Sequence, residues 1–250
     1  MQRYFINEPF TNQTTVKIFG DDYHHIVRVM RMKDGDECRV VVDNGKVATA
    51  VIARITDEFV EANVALWEEE MKELSVHVVI ASGLPKGDKL EWIIQKGTEL
   101  GAAEFVPFIA DRSIVKWEEK KAVKKLERWK KIAKEAAEQS HRQILPTVHA
   151  PLTFKNLIQL SEQFEQKVVA YEEVAKDGEQ SNFAKVLSVT KPGNKVLVVF
   201  GPEGGLTEKE VNELQTHGFE ICGLGPRIMR TETAPLYTLA AISYHFELMR

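Results

Sequence analysis

The run Val196-Leu197-Val198-Val199-Phe200 empties into Gly201-Pro202-Glu203-Gly204-Gly205. A second apolar run, beginning at Phe219, ends in Leu224-Gly225-Pro226-Arg227-Ile228-Met229-Arg230-Thr231-Glu232-Thr233-Ala234. Short continuous apolar runs of this kind are the pattern of strands buried on both faces, as in a parallel sheet. Each glycine-bearing turn leads into a predicted helix. Thr207 with Glu210 fits a capping box, and Thr233 precedes the apolar run from Leu236 to Met249. Two such turns at strand ends surround a crevice with backbone N–H and C=O groups as well as side chains. For either turn alone, glycine's tolerance of φ > 0 is a sufficient explanation. It is the pair, with Arg230, Glu232 and Thr233 beside the second turn, that points to a site.

Working back from these turns, the chain alternates strand and helix. His77 to Ala81 reads as a buried strand, and Asp88 with Glu91 starts a helix that Gly101 ends. Phe105 to Ile109 is a second strand, with Pro107 counting against a central place. A long helix is predicted between Trp117 and Ser140, its stripe made by Ala122, Leu126, Trp129, Ala133 and Ala136. Lys167 to Tyr171, Lys195 to Phe200 and Phe219 to Leu224 supply three more strands, so this part is α/β with a mainly parallel sheet. Ser82-Gly83 ends a strand and reads as a turn rather than a nucleophile. The first part is β-rich instead: Val16 to Phe19, Glu37 to Val42, Val47 to Ile55 and Phe59 to Leu66 are strand-like, and Asp43-Asn44-Gly45 is a hairpin signal. An acidic stretch from Glu68 to Glu73 is the candidate linker, giving domains at 1–70 and 74–250. The final helix, Thr233 to Met249, is apolar on nearly every face, which means burial within the domain or against another subunit.

Composition narrows the chemistry. A net charge of −4 is not that of a general nucleic-acid binder, so any RNA contact must come from a local basic patch. Cys38 and Cys222 lie in apolar runs and read as buried thiols of a cytosolic protein. No apolar run approaches the roughly 20 residues needed to span a bilayer, and the expectation is a soluble, cytoplasmic protein with no membrane partner. The histidines form no HExxH or other metal spacing, and His24-His25 point apart, so no metal is expected. There is no GxSxG, no GxxxxGK[ST] and no GxGxxG. Glu203 stands where a phosphate cradle would place a lysine or bare amides, and its carboxylate would repel a pyrophosphate. It suits a cationic ligand with adenine-like edges, such as S-adenosylmethionine. The lysine-rich long helix intersperses glutamates and reads as a solvated face. Arg3, Arg28, Arg31 and Lys33 are the more specific basic set, and the spacing of Arg28 and Arg31 allows one shared helical face.

GPEGG followed by LGPRIMRTETA resembles the signature of the bacterial small-subunit rRNA uridine-N3 methyltransferases of the SPOUT superfamily. Further segments carry the likeness over nearly the whole chain: Met1 to Phe5, His25 to Asp36, Leu84 to Lys89, Lys96 to Gly101 and Gln139-Ser140-His141-Arg142. Gly97 stands where alanine is usual and Met229 where leucine is usual. The resemblance implies a SPOUT-like, trefoil-knotted C-terminal α/β domain and a small PUA-like β-barrel that binds RNA. It also implies a homodimer formed through the last helix, S-adenosylmethionine as cofactor, and 16S rRNA of the small ribosomal subunit, near the decoding centre, as partner.

On that reading Tyr171, Glu172, Phe200, Gly201, Pro202, Glu203, Gly204, Gly205, Leu224, Gly225, Ile228, Met229, Arg230 and Thr233 bind the cofactor. Arg3, Arg28, Arg31, Lys33, Lys86 and Gln139 contact RNA. Arg230 is the candidate for stabilising charge on a uracil carbonyl and Arg142 for placing the substrate; Glu232 is either the base or a brace for Arg230. Two alternatives stand beside it. A SPOUT enzyme acting on a ribose 2′-hydroxyl would share every cofactor motif, and a non-enzymatic ribosome-assembly factor would keep the basic set but need no intact cofactor loop.

Overall fold

The protein is described by a computed structural model that covers residues 1–69, 72–115, 117, 119–173 and 181–249. Glu70 and Met71 of the expected linker lie outside the described residues. By compactness the chain divides into two units: Met1–Glu73 with Ala137–Leu145, and Leu74–Ala136 with Pro146–Arg250.

The first unit carries β1 (Arg3–Phe5), β2 (Thr15–Ile18), a short helix α1 (Gly20–His24) that runs on as one π-type turn (His25–Val29), β3 (Glu37–Val41), β4 (Val47–Ile55) and β5 (Val60–Glu68). They form one sheet in the order β1-β3-β4-β5-β2, with β1 parallel to β3 and the other neighbours antiparallel. Period-two alternation turns Val16 and Ile18 inward, where they meet Tyr4, Ile26, Val40, Ile52 and Val60. The Asp43-Asn44-Gly45 turn closes β3 onto β4 as its chemistry predicts: Gly45 takes φ +77°, and the Val42 N–H donates to the Lys46 carbonyl at 3.1 Å. Register shifts at Thr49/Ala50 and Ile52/Arg54 curl the two long strands over the core. β1, only three residues long, gave no periodic signal of its own.

Polar bonds tie residues 137–145 to this unit. The Arg3 guanidinium donates to the carbonyls of His141 and Arg142, both at 2.9 Å. The Glu73 carboxylate accepts from the backbone N–H groups of Gln143 and Ile144 and pairs with Arg142, while Gln143 Nε2 donates to the Gly45 carbonyl.

The second unit runs β6 (His77–Gly83), α2 (Lys89–Glu99), β7 (Glu104–Ile109), α3 (Glu119–Gln139, most of it here), β8 (Thr147–Val148), β9 (Leu152–Thr153), α4 (Phe154–Ser161), β10 (Gln166–Ala170), α5 (Asn182–Val189), β11 (Lys195–Phe200), α6 (Glu208–Thr216), β12 (Glu220–Cys222) and α7 (Thr233–Ser243). A π-type turn, Tyr244–Leu248, closes it. Every pairing in its sheet is parallel. The order is β12-β10-β11-β6-β7, with β8 and β9 both on the far side of β7. Alternate residues feed two cores, so Val78, Ile80, Val196 and Val198 face one side while Val79, Ala81, Leu197 and Val199 face the other. Helices α2, α3, α5 and α7 cover the first face; α4 and α6 cover the second.

Pro107 does sit in an interior strand. Phe105 offers its carbonyl to His149 on the β8 side, and by alternation Pro107 faces the same side, at the break between β8 and β9 where no ladder bond is lost. Gly97 is explained by packing. A Cβ there would lie 2.7 Å from Cε1 and 2.9 Å from Cζ of the buried Phe105. Trp129 and Ala133 of α3 are buried, as the predicted stripe requires.

Candidate active site

Strands β10, β11 and β12 lie side by side and parallel, so their C-terminal ends open together, and the chain leaves each of them in a loop. Crevices form at such edges because the outgoing loops diverge around them. Here they enclose a cavity of about 490 Å³, lined by residues 170–173, 200–206 and 224–231 together with Lys89, Arg112 and Ala234. The expected cofactor residues therefore converge, except that Thr233 is not on the wall. Thr233 is the first residue of α7, and the N-cap position falls to Glu232, whose side chain makes no capping bond.

The loop after β11 keeps its shape by excluding side chains. A Cβ on Gly201 would stand 2.9 Å from both Gly205 C and Leu206 N, so the loop folds back on its own backbone. On one flank Gly83 lies under Pro202, where a Cβ would come within 2.5 Å of Cδ and 2.7 Å of N. Ser82-Gly83 ends β6, and its glycine serves a close approach. On the other flank Arg112 donates Nη1 to the carbonyls of Gly204 (3.0 Å) and Leu206 (3.3 Å). The capping box is formed in full, and buried Glu210 also accepts from the Asp111 N–H at 2.9 Å.

Glu203 is held rather than bare. Its Oε1 accepts from the Lys86 N–H at 3.0 Å and from Lys89 Nζ at 2.7 Å. Burial pushes its pKa up, but these bonds outweigh burial and hold it below the usual carboxylate range. The bond to Glu203 raises Lys89 correspondingly. Lys89 Nζ also lies 3.8 Å from Glu232 Oε2, an oxygen that is buried without a hydrogen bond. Among the described residues the ion pair of Glu232 is with Lys89, and no bond to Arg230 is formed. Arg230 lines the cavity, exposed, while its carbonyl accepts from the N–H groups of Thr233 and Ala234 and so starts α7.

Arg142 belongs to the first unit, is 4% exposed, and gives its Nε to Glu73 at 3.0 Å. Arg3 is likewise buried, at 2% exposure. Lys86 and Gln139 are exposed, as are Arg28, Arg31 and Lys33. Arg28 is in the π-type turn, whereas Arg31 lies beyond it with φ +53°, so the two share no helical face; they share a protruding loop. The sequence reading named neither Lys89 nor Arg112 as a site residue. Lysine in the first turn of a helix and arginine in a loop carry no local signal, and only the fold brings them to the glycine loop.

The second unit thus carries a parallel sheet with helices on both faces and a glycine-lined cavity at its strand ends, and the first unit a curled β-sheet. Residues 72–243 match the RNA methyltransferase domain family and residues 19–65 the RNA methyltransferase PUA domain. Ribosomal RNA small subunit methyltransferase E of Bacillus subtilis is 53% identical over 100% of this chain and 99% of its own length. A crystal structure of a hypothetical protein covers 100% of both chains at 51% identity with a TM-score of 0.93. That of a ribosomal RNA small subunit methyltransferase E from Neisseria gonorrhoeae, bound to S-adenosyl methionine, covers 97% of each chain at 27% identity and a TM-score of 0.84. The chain belongs to the ribosomal RNA small subunit methyltransferase E family.

Proposed function

We propose that this protein is an S-adenosylmethionine-dependent methyltransferase that modifies N3 of one uridine in 16S rRNA. The observation that carries the reading is the cavity of about 490 Å³ walled by the two glycine loops, with Arg230 on its rim. Its size falls within the range of small-molecule sites. Residues 201–205 and 224–229 line it, and its lining lysine, Lys89, is bonded to Glu203. These features fit S-adenosylmethionine, and the relative from Neisseria was crystallised with it. When bound, that cofactor supplies an electrophilic methyl group on a sulfonium.

The chain must supply alignment and a competent acceptor nitrogen. Uracil N3 carries a proton between two carbonyls, and negative charge develops on O2 and O4 as that proton leaves. We assign to Arg230, exposed in the cavity wall, donation to one of them. Glu232 is the candidate proton acceptor: its Oε2 accepts no hydrogen bond and pairs with Lys89 of the cavity wall, although Glu232 does not itself line the cavity. Arg142, whose guanidinium is engaged by Glu73, acts as a positioning residue for segment 137–145. N3 is on the Watson–Crick edge, so the target base must be unpaired. Dimerisation through the last helix is supported by α7 and the turn after it, where Tyr237, Tyr244 and Leu248 remain exposed on an apolar segment.

The test is mass mapping of nucleosides in 16S rRNA from cells lacking this protein, paired with calorimetry of cofactor binding. One 3-methyluridine should be missing and return when small subunits are treated with the protein and S-adenosylmethionine. A methyl found on ribose, or no cofactor binding, overturns the reading.

A further inference from the structure

The loop His25–Lys33 of the first unit divides its apolar residues in two. Ile26 is fully buried, and Val27 and Met32 pack against the core. Between them Val29 is 60% and Met30 40% exposed, at the tip of the same loop and flanked by exposed Arg28, Arg31 and Lys33. A scattered exposed apolar residue is ordinary, but two adjacent ones set between three cations are a small apolar point inside a basic ring.

The tip is not slack. At its base Tyr4 Oη lies 3.1 Å from His25 Nδ1, and the N–H groups of Met30 and Met32 return to the carbonyls of His25 (2.9 Å) and Ile26 (3.1 Å). On the far side the Lys33 N–H donates to Asp36 Oδ2 at 2.7 Å, which occupies the nearer carboxylate. Asp34, Asp36 and Glu37 are the exposed acidic residues that follow the ring in sequence. Two features of the tip are costly: the π-type turn, and Arg31 at φ +53°, a conformation bulky side chains avoid. Strain of this kind persists where surrounding contacts enforce it, and it clusters at functional sites.

We propose that Val29 and Met30 form an apolar wedge that stacks against unpaired bases of the RNA, while Arg28, Arg31 and Lys33 hold the flanking phosphates. The inference rests on the RNA-binding reading of this unit and adds to it a contact that reads unpaired structure. Cations alone would hold a duplex as well as a loop, whereas an apolar side chain gains only where bases are open to it. The wedge thus directs the enzyme to unstacked RNA, which is where an N3 position is reachable.

The test uses the full chain and two labelled RNAs of equal length, a hairpin with a mixed-sequence unpaired loop and a fully paired control. Val29→Ser/Met30→Ser should weaken hairpin binding about fivefold, as expected for losing one modest base contact. The slope of log K against log salt should stay unchanged, and the paired control should be bound as before. Arg28→Ala/Arg31→Ala should instead lower that slope by about 0.7 for each charge removed on single-stranded RNA. Cross-linking of 4-thiouridine hairpin to residues 28–33 gives a readout independent of the variants. Unchanged hairpin affinity in the serine variant, or equal loss on both RNAs, overturns the wedge. So does a changed oligomeric mass in that variant, which assigns the tip to a protein interface. If the arginine variant keeps its slope, it is the RNA-binding reading of the unit that fails.

Discussion

Gly83→Ala tests whether the cofactor loop depends on a backbone approach from a neighbouring strand. The added methyl would lie 2.5 Å from Pro202 Cδ and 2.7 Å from Pro202 N, while ordinary contacts begin near 3.4 Å, so one of the two segments must retreat by close to an ångström. Neither has an easy exit. Gly83 is in β6, paired with β7 on one side, and Gly201 folds back on Gly205 and Leu206. Overpacking of this kind costs about 1–3 kcal/mol, and alanine's smaller unfolded-state entropy returns about 0.4–1 kcal/mol. A net loss of about 1–2 kcal/mol lowers the melting temperature by roughly 2–8 °C for a chain of this size. Function should suffer more than stability, since a shift of about 1 Å at a positioning loop can cost on the order of 100-fold. Calorimetric titration with S-adenosylmethionine, beside a thermal melt, separates the two effects. Wild-type cofactor affinity together with an unchanged melt would refute the claim that this glycine makes room for Pro202.

Glu104 bridges His77 (2.8 Å) and His149 (2.6 Å), and the bonds from His149 and His77 lower its pKa to about 2. A carboxylate depressed on folding stabilises the protein above its unfolded pKa of about 4.3 and loses that contribution as pH falls toward 2. With the side chain 25% exposed, we expect Glu104→Gln to cost about 1–2 kcal/mol at pH 5.5 in urea melts and much less at pH 2.5; an equal cost at both would show that charge is not involved. Arg230→Ala should slow single-turnover methylation of small subunits by about 10²–10³-fold with little change in cofactor affinity, and an unimpaired rate would remove Arg230 from the chemistry. Glu232→Gln should give a loss that rising pH partly restores if the carboxylate takes the N3 proton, against a loss uniform in pH if it only braces Lys89. Gly97→Ala gains about 1 kcal/mol of helix propensity but must displace the Phe105 ring, so the melting temperature should fall by a few degrees; a rise would mean the ring rotates freely.

Much of the second unit was legible because its strands are buried on both faces and its helices on one, so burial writes itself into the order of residues. Val196 to Phe200 could be little else than an interior strand, and Thr207 with Glu210 capped α6 exactly where their spacing required. The two glycine loops announced a crevice for the same local reason: their backbone geometry admits no side chains. Whatever depends on contacts distant in sequence was silent. Lys89 meets Glu203 across 114 residues and Arg112 meets Gly204 across 92, and neither cation differs locally from any other surface lysine or arginine. Arg3 was expected to contact RNA and Arg142 to place the substrate; the fold buries both, Arg142 on Glu73 and Arg3 on the carbonyls of residues 141 and 142. Arg28 and Arg31 were paired by helical spacing, and a π-type turn followed by a left-handed residue placed them on a loop instead. Local pattern, set by hydrophobic period and backbone freedom, therefore determined the strands, the helices and the glycine loops; which charges face solvent, and which are consumed in holding the chain together, was decided only when tertiary structure brought their partners within reach.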